Sequence, residues 1–204
     1  MHLLRVIISS LILGSSIAHP GNNGKQALAK KSPAAGYALK EPPLTTPWTD
    51  KVGTNPWPEY PRPQLQRSKW QNLNGVWQYQ NASSIDAVQN PPFGQSLGQE
   101  VLIPSCLESG LSGELSILYA TPQLQTDRVS TGIQGSYMLY SWFSTSFNVP
   151  SNWGGQRVVL NFGAVDYEAT VFVNGKQAGF NRGGYFRFSL DVTHYLNPGQ
   201  ENEL

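Results

Sequence analysis

Within residues 157–191 three runs alternate apolar and polar side chains, and glycines separate them. Val158, Leu160 and Phe162 fall on one face of the first run. Tyr167, Ala169, Val171 and Val173 fall on one face of the second, and Phe186, Phe188 and Leu190 on one face of the third. Successive side chains of a strand point to opposite faces, so this period of two predicts three half-buried strands. Asn174-Gly175 follows Val173 directly. Both residues tolerate the positive φ that a two-residue type I′ turn demands, so the pair predicts a hairpin at that point.

The rest of the chain fits an all-β framework. Its 204 residues suit one domain with extras, or a portion of a longer protein. The net charge is +1 and no run of Lys or Arg forms the basic patch that nucleic-acid binding requires. Charged residues make up 13% of the chain, about half the usual share of a soluble domain. Met1 to Ala18 reads as a signal peptide, with Arg5 as its basic end and Ser16-Ile17-Ala18 before the cut. Its apolar stretch is too short to cross a hydrocarbon core of about 30 Å. The expectation is a secreted, extracellular protein with no membrane attachment after cleavage. Cys106 is the one cysteine, so no internal disulfide is available, and it reads as a small buried residue. Asn81-Ala82-Ser83 is an N-glycosylation acceptor, which places Asn81 on the surface.

Residues 19–46 hold scattered Pro, Gly, Ala and Lys and predict a flexible, disordered leader. From Pro47 an arm carrying Trp48 and Trp57 leads to the ordered region, too rich in proline for regular pairing. Strands are expected at residues 76–80, 100–104 and 137–149, with loops at 81–100 and 105–114; within residues 115–134 Ile117-Leu118-Tyr119 could form a short strand and the rest reads as an exposed insertion. One helical turn is expected at 191–196, and Glu203-Leu204 reads as the opening of another strand. Short strands, long loops and no long amphipathic helix indicate an antiparallel jelly-roll β-sandwich. Its sheet ends where a strand is starting, so the expected fold is C-terminally incomplete.

An ordered set of motifs now accumulates: Pro61-Arg62-Pro63-Gln64-Leu65; Trp70 with Leu73-Asn74-Gly75-Val76-Trp77; Ile103-Pro104 with Leu107-Glu108-Ser109 and Ser112-Gly113; Trp142-Phe143 with Phe147-Asn148-Val149-Pro150; residues 162–169; Val171-Phe172-Val173-Asn174-Gly175; and Gly183-Gly184-Tyr185 with Phe188-Ser189-Leu190-Asp191-Val192. The set resembles the N-terminal, galactose-binding-like sugar-binding jelly roll of glycoside hydrolase family 2, over residues 47–204. The resemblance implies a carbohydrate ligand and a parent enzyme with a further immunoglobulin-like sandwich and a TIM barrel. It also implies that two glutamates on the barrel act in the retaining arrangement, with carboxyls about 5–5.5 Å apart. No segment matches the family's Asn-Glu acid/base motif, so no catalytic residue is carried over. Some relatives bind Mg²⁺ or Na⁺ near the barrel; no cofactor and no metal site is assigned to this chain. Many relatives carry arginines where Ser144 and Thr145 stand, which puts the local packing there in question.

The candidate sugar contacts are Glu108, Ser109, Asp166, Arg182 and Tyr185. Glu108 and Ser109 sit in a Gly/Ser-rich loop that the resemblance turns toward the barrel; a loop-closing hydrogen bond is the alternative. Asp166 could accept from sugar hydroxyls or cap its own turn. Glu168 lies two residues on, on the same strand face, so the two acids cannot flank a glycosidic bond from opposite sides. Arg182 and Tyr185 flank Gly183-Gly184, where the resemblance brings a hairpin to the active-site rim. A structural glycine turn is the alternative, and no helix follows that could cradle a phosphate. His194 is the one histidine beyond residue 19, which leaves no histidine triad or cluster.

Overall fold

The computed structural model describes residues 8–11, 36–40, 45–82, 84–107, 109–113 and 140–204. Among them are eleven strands, single turns of 3-10 helix and no α-helix. Every strand pair is antiparallel. The molecule is therefore all-β, as expected. No helix among the described residues is long and apolar enough to cross a membrane.

Strands β1 (Ile8–Leu11), β2 (Trp70–Asn72), β7 (Val159–Phe162) and β10 (Phe188–Asp191) form a sheet of order β10-β7-β1-β2. Strands β3 (Gly75–Asn81), β4 (Gln99–Ile103) and β5 (Ser141–Ser144) form another, with β3 central. Strand β6 (Ser146–Asn148) pairs with β11 (Glu201–Glu203). Strand β8 (Glu168–Val173) pairs with β9 (Lys176–Arg182). The expected strand over residues 137–149 is thus two strands with different partners, divided at Thr145; its first residues, 137–139, lie outside the described residues. The same holds for the insertion at 115–134.

Strands β7, β8 and β10 fall within the three runs of the opening pattern. Val158, Leu160 and Phe162 are buried in one core cluster with Val171, Val173 and Val192. Leu73, Trp77, Tyr79, Val101, Ile103, Phe147 and Trp153 complete it from the other strands and loops. Phe162 and Phe188 stack with ring centroids 4.5 Å apart, joining β7 to β10. Asn174 and Gly175 both have positive φ, 51° and 75°, as the hairpin turn requires. A bulge between Val171 and Phe172 then shifts the β8–β9 register by one residue.

The turn also anchors the end of the sandwich. Asn174 Nδ2 donates to the Tyr195 carbonyl and to Asn202 Oδ1, both at 2.8 Å, and Asn174 Oδ1 accepts from Glu203 N at 3.0 Å. Asn202 is fully buried; its Oδ1 also accepts from Asn197 N at 2.7 Å and its Nδ2 donates to the Gln200 carbonyl at 3.0 Å. Its amide thus makes three hydrogen bonds, which is what keeps a buried polar side chain from being a cost.

The flexible-leader expectation needs one amendment. Residues 36–40 are seated: Tyr37 donates its hydroxyl to the Leu111 carbonyl at 2.6 Å, and Lys40 N donates to the Gly110 carbonyl at 3.1 Å. Burial raises the Tyr37 pKa above its ordinary value. The proline-rich arm that follows is irregular, as expected. It is held through backbone carbonyls, Pro56 to Asn74 Nδ2 and Trp57 to Asn72 Nδ2, while Trp48 and Trp57 themselves are exposed.

Two predictions follow from these contacts. Asn202→Leu keeps the branched heavy-atom outline but removes the buried acceptor of Asn174 Nδ2 and Asn197 N and the donor to the Gln200 carbonyl. A loss of about 2–3 kcal/mol is expected in urea unfolding. The second concerns Asp191, whose pKa falls from 3.8 to about 2 because it accepts from the Thr193 hydroxyl and backbone N–H, with Arg157 adding a smaller share. A depressed carboxylate stabilises the fold fully above its unfolded pKa and loses that contribution as pH falls through the folded value. The stability gap between the wild type and Asp191→Asn should therefore be constant above about pH 5 and should close as pH falls toward about 2.

Candidate functional site

The β8–β9 hairpin brings three of the five candidate residues to one rim. Asp166 and Tyr167 lie in the loop between Phe162 and β8; Arg182 ends β9, and Gly183-Gly184-Tyr185 follows it. Gly183 N donates to the Tyr167 carbonyl at 2.7 Å, which ties the two segments together. A Cβ at position 184 would collide with the Asp166 carboxylate, so only glycine lets the segments approach this closely. Glu168 faces Arg182 across the hairpin, and the two form an ion pair at 2.6 Å with both side chains largely in solvent. Such an exposed pair contributes little stability; it fixes where the two charges point.

Around these charges the rim carries aromatic surface. Tyr185 is 85% exposed, Phe186 72%, Tyr167 54% and Phe180 51%. Tyr167 is therefore not on the buried face to which its alternation assigned it, because the regular strand starts only at Glu168. Phe186 likewise stands clear of the core, since β10 begins at Phe188. An aromatic face flanked by a carboxylate and a guanidinium can stack on the apolar side of a sugar ring while the charges meet its hydroxyls. Phe180 and Phe186 as exposed rim aromatics, and the pairing of Glu168 with Arg182, were not expected from the sequence. The signal for the pair was the hairpin, obscured by the bulge.

Ser109 does not join this rim. Its hydroxyl accepts from Ser112 N at 3.2 Å and caps the single turn Gly110–Ser112, the loop-closing role weighed against sugar contact. Glu108 lies outside the described residues. Asn81 ends β3 on the surface, as an acceptor site requires, although its side chain also accepts from the Tyr79 hydroxyl. Trp77 and Trp153 are buried in the core, Trp70 is half-buried against Tyr60, and Trp142 packs on Phe172. No group of three or more His, Cys, Asp or Glu among the described residues could hold a metal ion.

An Asn-Glu dipeptide does occur, at Asn202-Glu203 in β11, and its surroundings are structural. Asn202 is consumed by the network described above. Glu203 accepts from Gly94 N at 2.9 Å and from the Ser144 hydroxyl at 3.4 Å. Ser144, at one of the two positions where many relatives have arginine, thus reaches Glu203. Thr145, the other, is buried and exchanges backbone hydrogen bonds of 2.8 Å with Leu204.

The profile described as "Glycosyl hydrolases family 2, sugar binding domain" matches residues 70–204. The chain belongs to glycosyl hydrolase family 2, and the matching part is its sugar-binding domain. A β-glucuronidase of Paenibacillus borealis is 36% identical over 63 residues, which is 31% of this chain and 11% of that protein. The β-glucuronidase of Felis catus is 26% identical over 172 residues, 83% of this chain and 24% of its own length. Among solved structures, an uncultured Clostridium β-glucuronidase overlays 64% of this chain and 20% of its own, at 27% identity and a TM-score of 0.45. The chain therefore spans about a quarter or less of the relatives it matches.

Two substitutions separate the parts of the rim. Gly184→Ala forces the Asp166 carboxylate aside and should cost about 1–3 kcal/mol, as other insertions into a filled site do. Arg182→Ala should cost under about 1 kcal/mol. Thermal unfolding of the two variants beside the wild type checks the order.

Proposed function

We propose that this chain is the N-terminal sugar-binding portion of a secreted glycosidase that hydrolyses terminal β-linked sugars with retention of configuration. The observation that carries this reading is the sugar-binding-domain match across residues 70–204. The relatives named above support it, since the proteins bearing the match are glycosidases several times longer than the matched part. The rim of Asp166, Arg182 and Tyr185 binds or borders the sugar, and the reacting carboxylates come from the barrel of the longer enzyme. The chain by itself then has no turnover.

Secretion is part of the same reading, with residues 1–18 as the signal peptide and His19 as the new N-terminus. Strand β1 falls inside that peptide, so its removal takes a strand from between β2 and β7. A second reading, a stand-alone carbohydrate-binding module, is favoured by one observation: four exposed aromatic rings on a rim that needs no other domain to form.

The purified chain should release no more nitrophenol from nitrophenyl β-glucuronide or β-galactoside than buffer does, and its secreted form should begin at His19 by N-terminal sequencing. Clear turnover, or a secreted chain that retains residues 1–18, contradicts the corresponding part. Millimolar-range sugar binding that Tyr185→Ala abolishes, by calorimetry, would favour the stand-alone module.

A further inference from the structure

Residues 36–40 form a strap whose partners lie far along the chain. Tyr37 donates its hydroxyl to the Leu111 carbonyl at 2.6 Å, 74 positions away in sequence. Lys40 N donates to the Gly110 carbonyl at 3.1 Å. Both acceptors belong to the single turn Gly110–Ser112, which Ser109 caps. Inside that turn the buried Ser112 hydroxyl reaches the Leu107 and Ser109 carbonyls, both at 2.8 Å. The strap adds two hydrogen bonds to it from outside.

Gly113 makes the seat. Its φ is 81°, and a Cβ there would stand 2.6 Å from the Tyr37 ring and 3.1 Å from the Ala38 carbonyl oxygen. The ring therefore lies against bare backbone, an approach that only glycine permits. Tyr37 is half-buried, while Gly36, Ala38, Leu39 and Lys40 are exposed. The hold thus rests on one ring and two hydrogen bonds. A segment with so few buried apolar contacts opens at a free energy well below that of global unfolding.

A second contact opposes the hold. Gly36 passes close to Glu100 in β4, where a Cβ on residue 36 would stand 3.1 Å from Glu100 Oε2. That oxygen is buried and has no hydrogen-bond partner among the described residues. A carboxylate oxygen taken from water without a donor is a cost to the closed arrangement. Lifting Gly36 away returns it to water.

We propose that residues 36–40 are a latch on the turn at 109–113: Tyr37 locks it, Glu100 beneath Gly36 opposes the lock, and the latch opens as a unit while the sandwich stays folded. When it lifts, the turn loses the ring against Gly113 and the donors to two of its carbonyls. The leader thereby sets how firmly the loop that carries Ser109 is held. The latch does not depend on the glycosidase reading, and its test needs no turnover.

Hydrogen exchange in the full chain separates latch from sandwich. The amides of Lys40, Ser112 and Gly113 report the latch, and those of Leu160 and Val173 report the sandwich. Tyr37→Ala should speed exchange at the three latch amides about tenfold or more and leave the two core amides unchanged. Tyr37→Phe keeps the ring and loses one hydrogen bond, so it should speed them less, by about fivefold. Glu100→Gln removes the charge at constant shape and should act in the opposite direction, slowing the same amides by about threefold or more. Gly113→Ala pushes the ring off its seat, so it should speed the latch amides by a larger factor in the wild type than beside Tyr37→Ala, where no ring is left to displace. The proposal is overturned if Tyr37→Ala leaves the latch amides unchanged, or if it speeds the core amides by the same factor. It is equally overturned if Glu100→Gln speeds the latch amides or does not alter them, or if Gly113→Ala acts by one factor in both backgrounds.

Discussion

The amide pair Asn174–Asn202 holds together three parts of the chain that meet nowhere else in the same way. Asn174 sits in the hairpin turn between β8 and β9, Asn202 in β11, and the carbonyl of Tyr195 ends the turn between them. An apolar residue at 202 could fill the same volume but could not direct a turn, a strand and a loop to one point. Position 174 needs a residue that tolerates positive φ and has both a donor and an acceptor at its tip. Asparagine meets all three conditions. The hairpin and the final strand are thus fixed to each other before any side chain of the rim is considered.

That constraint is transmitted outward. With the turn end of the hairpin clamped, its open end can place Arg182 opposite Glu168 and bring Gly183 to the Tyr167 carbonyl. The rim is therefore built on framework strands even though its residues lie in loops. This is the arrangement in which loops carry binding with defined geometry. The same clamp sets the line of β11 beside Thr145, where one continuous segment passes from pairing with β3 to pairing with β11.

Much of this was legible because it depended on period and on turn chemistry. The alternation at Val158, Leu160 and Phe162 and at Val171 and Val173, and the Asn174-Gly175 pair, report local backbone preference, which a single sequence expresses directly. What escaped was set by tertiary geometry. Counting outward from a two-residue turn pairs Glu168 with Asn181; the bulge at Val171/Phe172 moves the partner to Arg182 and creates the ion pair. The β-branched and aromatic residues at the bulge carry no sign of it. Gly179 offered a sign, since a Cβ there would strike Leu190, but a glycine within a strand does not say which neighbour approaches. Trp153 lies in a Gly-rich loop and is nonetheless core. A large ring will bury itself wherever the neighbouring strands leave room. The acid dipeptide at Asn202-Glu203 shows the converse, a chemically suggestive pair whose atoms are spent on holding the fold.

Strand β1 has a consequence for the sheet it joins. Ile8 pairs with Phe162 and Ser9 with both Asn161 and Asn72, so β1 lies between β7 and β2. On the secretion reading residues 8–11 leave with the leader peptide. The side of β7 turned away from β10 and the facing side of β2 then lose that pairing, and two rows of backbone N–H and C=O groups pass to water or to another strand. Maturation would thus split this sheet beside the Phe162–Phe188 stack and leave β2 and the β10-β7 pair as separate pieces.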